Sequence, residues 1–180
     1  PYGEGATVYV TITPYADAGA TLNQGTPVYK TLMTRTRYRA QAVRSTVQSI
    51  SNNTPTTLSF NVTDVFDVGA LHDPVGAPTK MVIPAGIGVG AWCIVAQVDI
   101  DGNATGYRNL SIQKNGGAFI ANATVAVNSA GANTIFSVVA FDSAASAGDY
   151  YEVVIYQNSG VALNVNFGVA NTFFAAYHMW

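Results

Sequence analysis

Residues 147–160 read Ala147-Gly148-Asp149-Tyr150-Tyr151-Glu152-Val153-Val154-Ile155-Tyr156-Gln157-Asn158-Ser159-Gly160. A Gly-Asp turn opens the stretch and Asn-Ser-Gly closes it. Between them Tyr151, Val153 and Ile155 alternate with Glu152, Val154 and Tyr156. Successive side chains of a strand point to opposite faces, so the stretch reads as turn, half-buried strand, turn.

The same pattern extends outward from it. Upstream, Tyr107 to Lys114 puts Leu110 and Ile112 on one face, and Asn115-Gly116 supplies the positive φ angles of a tight hairpin. Ala91 to Val98 is nearly continuously apolar, as a central strand buried on both faces would be. Asp99-Ile100-Asp101-Gly102-Asn103 reads as a hairpin-type turn. Thr56 to Val62 points Leu58, Phe60 and Val62 one way. Ala118 to Val127, Thr134 to Phe141, Val161 to Phe167 and Asn171 to Trp180 complete the series. About eight to ten strands spaced at about 8–12 residues predict an antiparallel sandwich or jelly roll. No helical period persists.

Composition points to what covers the surface. Of 180 residues, 49% are hydrophobic and 10% charged, against about 25% charged in typical soluble domains. So little charge suits a chain whose surface is covered in an oligomer or larger assembly. Residues 1–50 carry Lys30, Arg35, Arg37, Arg39 and Arg44 against Glu4 and Asp17, net +3. The remainder carries three cations against eight acids, net −5. Residues 1–50 are therefore expected to form an attachment arm or small β extension, with Arg35, Arg37, Arg39 and Arg44 as its docking residues. Residues 51–180 are expected to form the sandwich. Cys93 is alone, so no intrachain disulfide forms, and its apolar surroundings predict a buried structural thiol. No run of about 18 apolar residues suggests a membrane span. The opening residues lack a basic-then-apolar leader pattern.

Seven segments, taken in order, resemble the TNF-like jelly roll of the C1q branch, in the version common among bacteriophage virion proteins. They are Thr57-Leu58-Ser59-Phe60; Phe66-Asp67 with Leu71-His72-Asp73; Ile83-Pro84-Ala85-Gly86-Ile87; Asn103 to Arg108; Ile112 to Gly116; Ala147 to Glu152; and Tyr156 to Gly160. The resemblance covers about residues 53–180 and implies an all-β, two-sheet antiparallel jelly roll that assembles as a homotrimer. In that family the last strand lies near the three-fold axis. Here it would carry Phe173, Phe174, Tyr177 and Trp180, large apolar anchors suited to a trimer interface.

Reactive chemistry is hard to assemble from this sequence. The two histidines, His72 and His178, have no nucleophile elbow to serve, so no catalytic residue is assigned. One cysteine and two distant histidines argue against a zinc site, and no cofactor is expected. Asp99 to Asn103 starts like a calcium loop, but Ala104 stands where glycine is needed and Leu110 where an acid is needed. Asp64, Asp67 and Asp73 share one loop region without the spacing of a glycosidase pair. The arginine row is too short to argue for nucleic acid.

The expected function is therefore a non-enzymatic virion structural protein. It would be a capsid decoration or fibre/tail-associated homotrimer, anchored to the major capsid or another virion protein by its arm. The alternative is an extracellular recognition module that binds a surface glycan or protein, with Tyr107, Tyr150 and Tyr156 placed to stack on sugars.

Overall fold

The computed structural model describes residues 38–86, 89–126 and 132–179. The chain divides into two units, residues 1–35 and 36–180. Of the arm expected over residues 1–50, residues 1–37, with Arg35 and Arg37, lie outside the described residues, as does Trp180.

Two antiparallel sheets make up the described residues, which contain no helix. The seven-stranded sheet holds β1 (Arg39–Val43), β2 (Gln48–Ile50), β4 (Phe66–Val68), β7 (Gly90–Ile100), β10 (Thr134–Ala145), β12 (Leu163–Val165) and β13 (Phe173–His178). The six-stranded sheet holds β3 (Thr56–Thr57), β5 (His72–Asp73), β6 (Ala77–Val82), β8 (Tyr107–Lys114), β9 (Phe119–Ala126) and β11 (Tyr150–Gln157). The path crosses between sheets after β2, β3, β4, β6, β7, β9, β10 and β11, which is the strand switching of a jelly roll. The strands outnumber the expected eight to ten because five of them are only two or three residues long.

The core lies between the sheets. From the larger sheet come Trp92, Ile94, Ala96 and Val98 of β7, Phe136, Val138 and Ala140 of β10, and Phe174 and Ala176 of β13. From the smaller sheet come Leu110 and Ile112 of β8 and Tyr151, Val153 and Ile155 of β11. Both alternations read from the sequence thus point inward as expected. Leu58 and Phe60 are also buried, although their segment forms a strand only at Thr56–Thr57.

Three expectations are corrected. β1 is not part of an arm, because it pairs with β13 on one side and β4 on the other, and buries Ala40 and Ala42. β2 pairs with β12, so residues 39–50 belong to the sandwich. The turn expected at Asp99 to Asn103 does not close a hairpin: β7 and β8 lie in different sheets, and residues 101–106 carry the chain across. Asn115-Gly116 does close the β8–β9 hairpin, at φ 54° and 65°.

One ionic cluster ties β8, β10 and β11 together. Lys114 Nζ lies 2.7 Å from Asp142 Oδ2 and 2.8 Å from Asp149 Oδ2. The Tyr151 hydroxyl donates to Asp142 at 2.8 Å, and the Asn115 amide donates to Asp149 at 2.8 Å. Hydrogen bonds from Lys114, Asn115 and the Ser146 N–H lower Asp149 to about 2. Burial opposes ionisation of Asp142, but Lys114, the Ala144 N–H and Tyr151 together hold it below its ordinary value. Both carboxylates thus sit lower folded than unfolded. The share of Asp149 in stability is complete above about pH 4 and is lost as pH falls through about 2, and Asp142 contributes in the same direction. In urea titrations across that window the midpoint of the wild type is expected to fall, and that of Lys114→Met to fall less.

Candidate functional site

The outward face of the larger sheet is unusually apolar. Residues paired across antiparallel strands share a face, so the registers define it. Phe141, Val139 and Ser137 of β10 stand opposite Cys93, Val95 and Gln97 of β7. Those in turn stand opposite Tyr177, Ala175 and Phe173 of β13. Gln41 of β1 faces Ala175 on one side and Phe66 of β4 on the other. Phe141 is 71% exposed, Ile135 56% and Tyr177 37%. The Phe66 and Tyr177 rings lie 6.3 Å apart, and the Arg39 guanidinium covers Phe66 at 5.6 Å. Scattered exposed apolar residues are ordinary, but a contiguous apolar row across β10, β7 and β13 is of the kind found at interaction surfaces.

β7 was expected to be buried on both faces. Its inner residues are buried, while Cys93, Val95 and Gln97 on the outer side are only half-buried. Cys93 is therefore not a core thiol, although burial raises its pKa.

The aromatic residues expected at a trimer interface divide by strand alternation. Phe174 is 0% exposed and packs against Phe60 at 5.5 Å, so it serves the monomer core. Phe173 and Tyr177 lie on the outward face. The docking arginines divide as well. Arg39 is an exposed residue of β1. Arg44 is only 5% exposed and donates to the Thr46 carbonyl at 2.8 Å and Gln48 Oε1 at 2.9 Å, so it cannot act as an arm contact.

The remaining reactive groups are occupied by the fold. His72 Nδ1 lies 2.8 Å from Asp64 Oδ1, and burial holds Asp64 above the usual carboxylate range despite His72. Asp67 accepts from the Leu71 and His72 N–H groups, and Asp73 from those of Val75 and Gly76. Asp101 accepts from the Asn164 N–H and the Asn166 amide, which uses the carboxylate that the calcium-like reading needed. His178 stacks on Trp92 at 5.0 Å.

A second surface lies on the outward face of the smaller sheet. It is an open cleft of about 460 Å³. Asn109 and Ser111 of β8, Thr124 of β9 and Val154 of β11 form its floor, with Pro55 and Phe119 at the rim. Tyr107 and Tyr156 stand beside it with ring centroids 5.6 Å apart. Asn109 Nδ2 donates to Thr124 Oγ1 at 2.8 Å, and Ser111 Oγ donates to Asn109 Oδ1 at 2.7 Å. Two of the three tyrosines named from sequence therefore meet. Tyr150 instead sits under Lys80 at 4.1 Å.

No protein-family model and no curated protein matches the chain. Solved structures do match it. The globular domain of zebrafish complement 1qA protein superposes with TM-score 0.55 at 12% identity, covering 79% of this chain and 98% of that one. Murine APRIL gives 0.54 at 13% identity, covering 79% and 99%. Eiger TNF from S. frugiperda gives 0.54 at 10% identity, covering 81% and 94%. The sandwich has the C1q/TNF-like jelly-roll fold.

The division of the last strand is open to measurement. Phe174→Ala is expected to cost about 3–5 kcal/mol in urea unfolding. Phe173→Ala is expected to cost under about 2 kcal/mol.

Proposed function

We propose that this chain is a non-enzymatic structural module that associates as a homotrimer through the outward face of its larger sheet. The observation that carries this reading is the apolar row from Phe141 through Cys93 to Tyr177, with Ile135 and Phe173 beside it. The charge-poor composition favours it too, since 10% charged residues leave a lone monomer poorly protected from association. The three-fold number is what the C1q/TNF resemblance implies. In the assembly Phe173 and Tyr177 take the role first assigned to all four terminal aromatics.

The finer setting is a virion, with residues ahead of Tyr38 attaching the trimer to the major capsid or another virion protein as a decoration or fibre/tail component. Support for it is the ordered set of motifs resembling virion jelly rolls. Charge asymmetry contributes less than expected, because residues 1–37 hold three cations against two acids once Arg39 of β1 and Arg44 just beyond it belong to the sandwich. The tyrosine-lined cleft favours a second setting, an extracellular recognition module.

Sedimentation equilibrium tests the assembly. The wild type is expected at three times the 18.9 kDa chain mass, and the double variant Val139→Asp/Phe141→Asp as a folded monomer. Cys93 should then react with a thiol reagent faster in the variant, because the interface no longer covers it. A wild type that remains monomeric overturns the reading.

Deletion of residues 1–35, which spares every described strand of the sandwich, separates the two settings. Loss of particle binding by an intact trimer supports the virion setting. Undiminished partner binding by the truncated chain supports the recognition setting.

A further inference from the structure

We infer that the cleft on the smaller sheet is a binding site for a neutral saccharide. This deepens the recognition reading and rests on it, but it does not need the trimer, because the cleft and the apolar row lie on opposite outer faces of the sandwich.

The lining sets the ligand class. Tyr107 and Tyr156 offer broad apolar ring faces, tilted 36° to one another, and Phe119 adds a third ring at the rim. A sugar ring presents an apolar C–H face to such a surface. Beside Val154 the floor carries polar groups: Asn109, Ser111 and Thr124 bring an amide and two hydroxyls into one chain of hydrogen bonds. That chain fixes the orientation of each group before a ligand arrives. It leaves the second Asn109 N–H and the Thr124 hydroxyl proton available to a ligand's hydroxyl oxygens. The Tyr156 hydroxyl is held by Asn53 Oδ1 at 3.0 Å, which steadies the ring.

Competing ligand classes fit less well. The described lining holds no Lys, Arg, Asp or Glu, so a phosphate, a carboxylate or a nucleic-acid backbone finds no countercharge. An apolar side chain entering from a protein partner would cover the amide and hydroxyls without pairing them, which costs free energy. A polyhydroxylated, uncharged molecule meets both the rings and the floor. The volume of about 460 Å³ falls within the range of about 300–1,000 Å³ common to small-molecule sites. In a trimer joined through the larger sheet, three clefts would face outward, and multivalency would strengthen weak single-site binding.

The test is a titration of the full chain with cellotetraose and with N-acetylchitotetraose as neutral probes, and with tetragalacturonate as the anionic contrast. Calorimetry gives the affinity and amide NMR gives the location. At least one neutral probe is expected to bind and to shift the Asn109, Ser111 and Thr124 amides. Tyr107→Ala and Tyr156→Ala should each weaken that binding about ten-fold. Tyr107→Phe keeps the ring and should bind within about three-fold of the wild type. Urea midpoints confirm that each variant is folded, and sedimentation confirms that self-association is unchanged, so the saccharide and trimer readings stand or fall separately.

Absence of binding by both neutral probes up to about 10 mM would overturn the inference. So would wild-type affinity in both alanine variants, or equal or tighter binding of tetragalacturonate. The last result would reject the neutral class and leave the recognition reading standing.

Discussion

The shared layer between the two sheets is the constraint on which everything else depends. Each long strand must send every second side chain into it, and β7, β10, β8 and β11 all do so with large apolar residues. Stacked sheets sit about 10 Å apart, so the filling has to be continuous. Trp92, Tyr151, Phe60 and Phe174 are its largest fully buried apolar side chains. Because alternation is strict, filling the inside also fixes what faces outward. A one-residue slip in β7 would turn Cys93, Val95 and Gln97 inward and expose Ile94 and Ala96. The outer faces are thus set by the core, and both candidate surfaces are consequences of register.

That dependence explains which parts were legible in the sequence. The inward sets of β8 and β11 and the Asn115-Gly116 hairpin are local patterns, visible within one strand and one turn. β1 is not visible in the same way. Its buried residues are Ala40 and Ala42, whose small side chains give little hydropathic signal, and Arg39 and Gln41 lie on its other side. The segment reads as polar although it is the second strand across from β7. Arg44 misleads for a related reason, since its charge suggests solvent while its hydrogen bonds to Thr46 and Gln48 hold it under the surface. The crossing at residues 101–106 also defeats local reading, because Asp-Gly suits a turn whether the chain returns to its own sheet or leaves it.

The two surfaces were legible to different degrees. Apolar residues on both faces of Ala91 to Val98 say that both faces seek cover, but not what supplies it. On the inside it is the chain's own second sheet; on the outside the described residues leave Val95 and Cys93 half-covered. The cleft was less visible still. Tyr107 and Tyr156 are far apart in sequence and become neighbours only because Asn109 pairs with Tyr156 and with Thr124. Single-strand periodicity carries no information about such a cross-strand set.

The chemical contrast between the two outer faces argues for different roles. The larger sheet shows a row of rings and aliphatic groups across β10, β7 and β13, with Ser137, Gln97, Gln41 and Arg39 beside it, so a partner with an apolar centre and a polar rim suits it. The smaller sheet shows an amide and hydroxyls already linked to one another, which an apolar partner would leave without ligand hydrogen bonds. A protein–protein contact gains chiefly from area removed from water, which favours the first face. A small-molecule site gains from a few oriented polar groups set among rings, which favours the second. One sandwich can carry both because its core separates them: packing on the larger sheet leaves β8, β9 and β11 exposed. Assembly and recognition therefore draw on independent sets of residues, and a change in one surface need not alter the other.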